Sequence, residues 1–204
     1  MNRQRLVLAS SSRYRRALLE RLGIPFEVMT PDIDESARPG EKPLATATRL
    51  AEAKARAVGE RCAGDALVIG SDQVADCDDV AVSKPLDHAD AVRMLRSLSS
   101  RTIVWHTALV LLDVRTGTLQ RECVDVASTF RQLSHEQIDA YLEREKPYDC
   151  AGAVRSEALG IALFERIGSD DPTALIGLPL IALSRMLRNA GVDVLLPHSI
   201  SGVR

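Results

Sequence analysis

Aromatic residues are scarce in this chain, whose 204 residues include only three Phe, three Tyr and one Trp. Proteins that bind nucleic acid strands depend on aromatic stacking and on a strong basic field. Lys and Arg together number 26 against 28 Asp and Glu, which leaves a formal net charge of -2. We therefore expect no nucleic acid polymer and no membrane surface as a partner, and local groups must bind any anionic ligand.

Cysteine, histidine and long apolar runs are also limited. The four Cys lie far apart without a Cys-x-x-Cys motif, and the four His are scattered. These patterns predict neither a zinc knuckle, nor a redox motif, nor a His-rich metal site. No apolar run approaches the length that spans a bilayer, and the first one is too short for a signal peptide. We expect a cytoplasmic protein with reduced thiols, folded as one domain over residues 1–204.

A short apolar run at residues 67–69 leads into Gly70-Ser71-Asp72. Such a run indicates a buried strand, and this pattern places Asp72 where the strand ends. Ligands of open α/β sheets bind beyond the ends of strands, so Asp72 is a candidate for catalysis or metal binding. On this stretch alone, a solvated turn explains the same residues equally well.

The start of the first predicted helix carries an unusual cluster of cations. Arg13, Arg15 and Arg16 stand in its first turn, where the helix dipole disfavours each cation by about 0.3–1 kcal/mol. Together with the N-cap candidate Ser12 they suit a phosphate group, although a solvated Arg cluster is the alternative. Tyr14 lies inside the cluster, where its ring either stacks on a flat ligand or packs on the fold.

A polar loop after the second predicted strand contains three carboxylates, Asp32, Asp34 and Glu35. Their oxygens are hard ligands of the kind that Mg²⁺ or Mn²⁺ takes. One of them is therefore a metal candidate. The alternative is that the loop is acidic only for solubility, as most acidic loops are.

Two lysines stand where their charge needs a partner. Lys54 falls near the middle of the apolar stripe of a helix predicted over residues 43–61. Its ammonium group either extends to solvent or points at a carboxylate or phosphate in a cleft. A hairpin predicted around residues 77–79 brings Lys84 back towards Asp72.

Predicted strands and helices both occur along the whole chain. The predicted strands are residues 6–9, 26–29, 67–69, 103–113, 119–130 and 161–166, and the other predicted helices end near residues 22, 98, 145 and 189, before a polar tail after residue 192. Walker A and G-x-G-x-x-G motifs are both absent, which argues against P-loop NTPases and dinucleotide enzymes. The mixture of cations, carboxylates and a Ser-rich helix start is instead what phosphoryl transfer needs.

Several segments, spread from the N-terminus to the last helix, resemble the ordered motifs of the Maf family of nucleotide pyrophosphatases. They are Leu8-Ala9-Ser10-Ser11-Ser12-Arg13-Tyr14-Arg15-Arg16, Asp34-Glu35, Ala53-Lys54-Ala55, Gly70-Ser71-Asp72-Gln73, Ser83-Lys84-Pro85, Ala151-Gly152-Ala153 and Gly177-Leu178-Pro179-Leu180. The resemblance implies an inosine-triphosphatase-like α/β fold, with a mixed twisted sheet flanked by helices and two lobes around a central cleft. It also implies a homodimer that releases pyrophosphate from a nucleoside triphosphate with a divalent cation, Mg²⁺, Mn²⁺ or Co²⁺.

The resemblance also implies roles for individual residues. Asp72 is expected to be the general base that activates water, and Glu35 is expected to assist it through a metal that both carboxylates bind. The residues expected to hold the triphosphate are Ser12, Arg15, Lys54 and Lys84.

Three positions bear on the substrate. In the branch of the family that acts on dTTP and UTP, the N-terminal motif reads Ser-Pro-Arg-Arg, Thr follows the catalytic Asp, and Gln stands at the position of Glu157. This chain has Tyr14, Gln73 and Glu157 there and is similar to the YceF-type branch, which implies 7-methylguanosine triphosphate. N7-methylation makes guanine a cation, so the Tyr14 ring would contribute about 0.5–2 kcal/mol, and ionised Glu157 suits the guanine N1–H and amine.

Two alternatives remain at this point. One is a pyrophosphatase of dTTP and UTP, or of a broader set of modified nucleotides. The other is a nucleotide-binding regulator of cell division or septum formation without important catalysis, an association that the family also carries. The presence of Asp72, Glu35 and Lys84 together disfavours the regulator, because binding alone does not require a base.

Overall fold

The computed structural model describes residues 4–196, so the predicted domain over residues 1–204 and the polar tail after residue 192 extend partly outside the described residues. The strands are β1 (Arg5–Ala9), β2 (Glu27–Met29), β3 (Ala66–Cys77), β4 (Val80–Val82), β5 (Thr102–Asp113), β6 (Leu119–Phe130) and β7 (Phe164–Gly168). The α-helices are α1 (Arg13–Glu20), α2 (Pro43–Gly59), α3 (His88–Leu98), α4 (His135–Glu145) and α5 (Leu180–Asn189). None of these helices is long and apolar enough to cross a bilayer.

All seven strands belong to one mixed sheet in the order β2-β1-β3-β5-β6-β7, with β4 attached to β3. β1 runs parallel to β2 and β3, whereas β3, β5, β6 and β7 are joined by antiparallel pairings. Helix α2 packs on one face of β1, β3 and β5 with a stripe of small residues, and α1 and α5 pack on the other face. The predicted fold class, a mixed sheet flanked by helices, is confirmed.

The long strands pass from one hydrophobic core into another. In β3, Val68 belongs to a core with α2, and Ile69 belongs to a core with α1 and α5. Ala75 of the same strand belongs to a third core, with α3 and α4. β5 makes the same passage, from Leu109 in one core to Trp105 in the third. The first two cores form one lobe, and the third core forms the other. The cleft opens between these lobes, beside the strand residues that connect the cores.

The prediction that the third strand ends at Asp72 is wrong. β3 runs for 12 residues, and Asp72 lies within it, paired with Ala108 of β5. The long antiparallel partner carries the strand through Gly70-Ser71, a sequence that locally indicates a turn. Gly70 has another function, because a Cβ there would lie 2.2 Å from the Ala51 carbonyl oxygen of α2. Helix α2 can therefore lie very close to β3.

The strand predicted at residues 161–166 is also misplaced. Leu159–Leu163 form a 3₁₀ helix, and β7 follows at Phe164–Gly168. Gly160 makes this compact path possible, since a Cβ at that position would lie 2.4 Å from the Arg155 carbonyl oxygen.

Side chains cap three of the helices, and the N-cap predicted at Ser12 is confirmed. The side chains of Ser12 and Asp87 cap α1 and α3, and Ser134 forms a complete capping box at the start of α4. Helix α5 is held instead by the buried Asp171, whose Oδ2 accepts from the backbone N–H groups of Ile181 at 2.7 Å and Ala182 at 3.2 Å. This fixes the segment before α5, which borders the cleft.

Candidate active site

A cavity of about 760 Å³ lies between the two lobes. Its walls come from the start of α1, the acidic loop before α2, the middle of β3, the segment after β4 and the segments before β7 and α5. It is lined by all nine residues to which the resemblance to the Maf family gives a role: Ser12, Tyr14, Arg15, Glu35, Lys54, Asp72, Gln73, Lys84 and Glu157.

Lys54 occupies the deepest position among the cations of the cavity, with only 4% of its surface exposed. Its Nζ donates to Asp72 Oδ1 at 2.7 Å and to Glu35 Oε2 at 2.6 Å. The close packing of α2 on Gly70 brings the lysine to these carboxylates. Of the two alternatives for Lys54, extension to solvent is therefore wrong, and a buried cation paired with carboxylates is what the protein contains.

Asp72 and Glu35 differ in exposure although they share one cation. Asp72 is buried in β3, whereas 56% of the Glu35 side chain is exposed in its loop. Each uses one oxygen for Lys54, and in the described part of the chain neither Asp72 Oδ2 nor Glu35 Oε1 has a hydrogen-bond partner. Mg²⁺ is commonly held by one or two carboxylates plus substrate phosphates, so this donor set fits a divalent cation. The neighbouring Asp32 and Asp34 do not line the cavity.

Arg15 is oriented by the segment that precedes α5. Its Nε donates to the Gly177 carbonyl oxygen at 2.8 Å, and the same oxygen accepts from Ser71 Oγ at 3.0 Å. Burial lowers the pKa of Arg15, and the charges of Asp72 and Glu35 oppose this shift. The guanidinium is thus held near the two carboxylates without a direct ion pair to either.

The other arginines of the first turn have different roles. Arg16 forms an ion pair with Glu20 at 3.0 Å, away from the cavity. Arg13 forms an exposed ion pair with Asp149 at 3.1 Å. The cluster predicted as one phosphate site is therefore divided, with Arg15 alone directed towards the carboxylates.

Lys84 and Glu157 form the open side of the cavity. Both residues are exposed. Neither has a hydrogen bond or ion pair with the residues that the structure describes, 4–196. Their charges are available to a ligand.

Tyr14 connects α1 to the other lobe. Its hydroxyl accepts from Arg13 at 2.7 Å and from Arg155 Nε at 3.1 Å, and it donates to Asp149 Oδ2 at 3.2 Å. Its ring also lies near both guanidinium groups, 4.8 Å from Arg13 and 5.9 Å from Arg155. Burial raises the pKa of Tyr14, so its hydroxyl stays protonated and remains a donor.

Gln73 supports the cavity wall. Its Nε2 lies within hydrogen-bond distance of two carbonyl oxygens, Ala174 at 2.8 Å and Leu175 at 3.0 Å, and of Thr107 Oγ1 at 2.9 Å. These bonds fix the segment that ends in Gly177, the residue that orients Arg15. Gln73 therefore acts on the site through the backbone that it holds.

The sequence did not single out several residues that build the cavity. Trp105 lines it from β5, and its buried Nε1 has no hydrogen-bond partner in the described chain. It is the only Trp of the chain, which is the one signal that could have drawn attention to it. The contacts that Ser71, Asp149 and Arg155 make around the cavity gave no such signal, because their partners are distant in sequence.

Comparison with known proteins identifies the class to which this fold and cavity belong. Residues 5–190 match the model of the Maf-like protein family. The chain therefore belongs to the Maf family. The family match and the mixed sheet agree with the fold predicted from the sequence.

Individual relatives are similar over almost their whole length. The chain is 58% identical to a protein named 7-methyl-GTP pyrophosphatase from Cupriavidus metallidurans, over 93% of this chain and 94% of that one. It is 59% identical to a protein of the same name from Ralstonia nicotianae, over 90% of this chain and 94% of that one. A solved dITP/XTP pyrophosphatase from Mycobacterium abscessus aligns at a TM-score of 0.41 with 16% identity, over 70% of this chain and 96% of that one, a likeness too weak to support an argument.

Proposed function

We propose that this chain is a nucleoside triphosphate pyrophosphatase that hydrolyses 7-methyl-GTP to 7-methyl-GMP and pyrophosphate. The observation that carries the proposal is the buried Lys54, which joins Asp72 and Glu35 inside a cavity that also contains Arg15 and Lys84. Relatives that are 57–59% identical carry the name 7-methyl-GTP pyrophosphatase, which supports the choice of substrate.

The chemistry follows from the charges of the cavity. A water molecule attacks the α-phosphorus, the bond from this phosphorus to the bridging oxygen breaks, and pyrophosphate leaves. Asp72 accepts the proton of the attacking water, and Lys54 holds its carboxylate in place. Arg15 and Lys84 bind the phosphate oxygens, on which negative charge develops during the reaction. Ser12 contributes to phosphate binding at the start of α1, where its hydroxyl oxygen accepts from the backbone N–H of Arg15 at 3.4 Å.

Glu35 and Asp72 would hold a divalent cation, because each keeps one oxygen that Lys54 does not use. When bound, such a cation would neutralise part of the negative charge of the phosphates. The oxygen ligands suit Mg²⁺ and Mn²⁺, and Co²⁺ is the third cation that we propose.

The purine is proposed to bind at the open side of the cavity. Glu157 is exposed and without a partner in the described chain, so its carboxylate can accept from the N1–H and amino groups of guanine. Tyr14 is proposed to face the base at the same side, although its ring already has two guanidinium groups nearby. The Asp149 carboxylate pairs with both arginines and offsets part of their charge, which reduces their repulsion of a cationic base.

Rates of pyrophosphate release from a panel of 7-methyl-GTP, GTP, dTTP and UTP test the proposal, each with Mg²⁺, Mn²⁺ and Co²⁺. We expect the highest kcat/KM with 7-methyl-GTP. Turnover of dTTP and UTP at equal or higher rates would assign the chain to the other branch of the family. Nucleotide binding without pyrophosphate release would favour the division regulator.

Glu157→Gln tests the base-binding role directly, because it keeps the size of the side chain and removes its charge. We expect the preference for 7-methyl-GTP over GTP to fall about tenfold, the change that corresponds to 1.4 kcal/mol. Glu165→Gln is a matched control, since Glu165 is exposed on β7 and does not line the cavity. An unchanged preference in Glu157→Gln would remove this residue from the recognition of the base.

We further propose that the protein acts in the cytoplasm as a homodimer, with neither a nucleic acid polymer nor a membrane as partner. The low net charge supports the absence of polyanionic partners. Light scattering of the purified chain measures the oligomeric state, and a mass of one chain, 22.2 kDa, would exclude the dimer.

A further inference from the structure

A second polar cluster lies on the α2 side of the sheet, outside the cavity. It consists of Asp76 on β3, His106 on β5, and Cys123 and Asp125 on β6. Strand register brings these residues together. His106 of β5 pairs with Val74 of β3 on one side and with Asp125 of β6 on the other. Cys123 of β6 pairs with Ala108, which is two residues after His106. None of the four lines the nucleotide cavity.

Three side chains of this cluster converge on one point. The nearest ligand atoms of His106, Cys123 and Asp125 all lie within 4.8 Å of one another. His106 Nδ1 is 2.7 Å from Asp125 Oδ1, and Cys123 Sγ is 3.8 Å from the same oxygen. Ligand atoms bonded to a tetrahedral Zn²⁺ at about 2.0–2.3 Å stand roughly 3.3–3.7 Å apart. Small side-chain adjustments therefore suffice to place one ion among the three.

Asp76 completes the arrangement from behind the imidazole ring. Its Oδ2 lies 3.2 Å from His106 Nε2, and its Oδ1 is buried without a hydrogen-bond partner in the described chain. A ligating histidine usually donates its other ring N–H to a carboxylate, which fixes the tautomer and makes the ligand more basic. With the proton on Nε2, the lone pair of Nδ1 points to Cys123 and Asp125.

The charge of the cluster also calls for a cation. Two carboxylates and a thiol surround a single imidazole, and His106 itself is only 8% exposed. The Asp125 side chain, by contrast, is 57% exposed, and Cys123 is partly exposed. This leaves an entry path from solvent for an ion and for a water molecule as its fourth ligand.

We propose that His106, Cys123 and Asp125 bind a zinc-class transition metal ion, with Asp76 as the residue that orients His106. One nitrogen, one sulfur and one oxygen ligand form a set that suits Zn²⁺ and Co²⁺ and does not suit Mg²⁺. The site is distinct from the carboxylate pair of the nucleotide cavity, whose ligands are oxygen atoms alone. It ties together β3, β5 and β6 on the face of the sheet against which α2 packs.

Titration of the reduced, metal-free chain with Co²⁺ tests the site, because a thiolate ligand gives Co²⁺ a charge-transfer absorption band that oxygen ligands do not. We expect the band to saturate at one Co²⁺ per chain. It should be absent in Cys123→Ser and in His106→Ala. Cys150→Ser is the matched control and should keep the band, since Cys150 lines the nucleotide cavity.

Competition with Zn²⁺ provides the affinity. Asp76→Asn should retain the band but weaken binding about 10–100-fold, the usual effect of removing a carboxylate behind a ligating histidine. Absence of a band in the parent chain, or a band that persists in Cys123→Ser, would overturn the proposal. A band lost in Cys150→Ser instead would place the thiolate ligand in the nucleotide cavity and would also overturn it. Circular dichroism of each variant shows whether it is folded before its metal binding is compared.

Discussion

The two ends of the nucleotide cavity differ in how much of their structure is set before a ligand arrives. At the closed end, Lys54 is buried with ion pairs of 2.6 and 2.7 Å, and Arg15 is held by the Gly177 carbonyl oxygen. At the open end, Lys84 and Glu157 are exposed and make no ion pair with any described residue. Contacts within the protein thus hold the charged groups of the closed end in place, whereas those of the open end gain partners only when the substrate binds.

This difference matches the two tasks of the proposed reaction. Transition-state stabilisation needs charges that do not reorganise when the reaction occurs, which a buried group held by hydrogen bonds provides. Recognition of a base needs polar groups that are unsatisfied until the correct partner binds. We infer that substitutions at the closed end act mainly on kcat and on stability, whereas those at the open end act on substrate binding, at Lys84 through the phosphates and at Glu157 through the base.

Asp72→Asn should give the largest effect and sharpens the contrast at the closed end. The amide keeps the shape of the side chain but cannot accept the proton of water, so kcat should fall about 10²–10⁴-fold. Substrate binding, measured by calorimetry with 7-methyl-GTP and the metal, should remain. A variant with nearly full kcat would show that Asp72 is not the base.

Lys54→Met and Lys84→Met make the same substitution at the two ends. Lys54→Met leaves the buried Asp72 carboxylate without its cation, which should lower the free energy of unfolding by about 3–5 kcal/mol. Lys84→Met removes an exposed lysine and should change stability by less than about 0.5 kcal/mol while weakening phosphate binding. Urea unfolding of both variants measures the difference. Equal stability losses would contradict the division of the cavity into two unlike ends.

Gly70→Ala tests whether the closed end depends on the close approach of α2. The added Cβ would meet the Ala51 carbonyl oxygen at 2.2 Å and Ala55 Cβ at 2.9 Å, so the helix must move. We expect a loss of about 1–3 kcal/mol in the free energy of unfolding, typical of overpacking, together with reduced kcat because Lys54 moves with α2. Gly168→Ala is the matched control in β7, where the nearest atom to a new Cβ is 3.9 Å away.

Much of the fold could be predicted because its signals are local. The helix ends predicted near residues 145 and 189 depend on residues close together in the chain, and α4 and α5 end at Glu145 and Asn189. The path of β3 through Gly70-Ser71-Asp72 could not be predicted, since it depends on pairing with β5 more than thirty residues later.

The candidate site was predicted less completely for the same physical reason. A resemblance to a family identifies residues by their motifs, and all nine selected residues line one cavity, although their roles stay predictions. Ser71, Gln73 and Gly177 support Arg15 through contacts that link distant segments, and only folding shows them. The scattered His and Cys residues likewise gave no indication that His106 and Cys123 meet across two strands.

Tyr14→Phe should give the smallest effect, and it tests the open end. The substitution removes a hydroxyl that bonds Arg13, Arg155 and Asp149 but keeps the ring that faces the cavity. The arginines retain Asp149 as an ion-pair partner at 3.1 and 3.4 Å, so the loss of stability should stay near 0.5–1.5 kcal/mol, the usual contribution of a hydrogen bond. Because the closed end is untouched, we expect kcat to change less than about twofold and KM for 7-methyl-GTP to rise by a few-fold. Steady-state kinetics separate the two parameters, and a loss of kcat with unchanged KM would mean that the hydroxyl acts on the reacting phosphate, which would join the two ends into one catalytic unit.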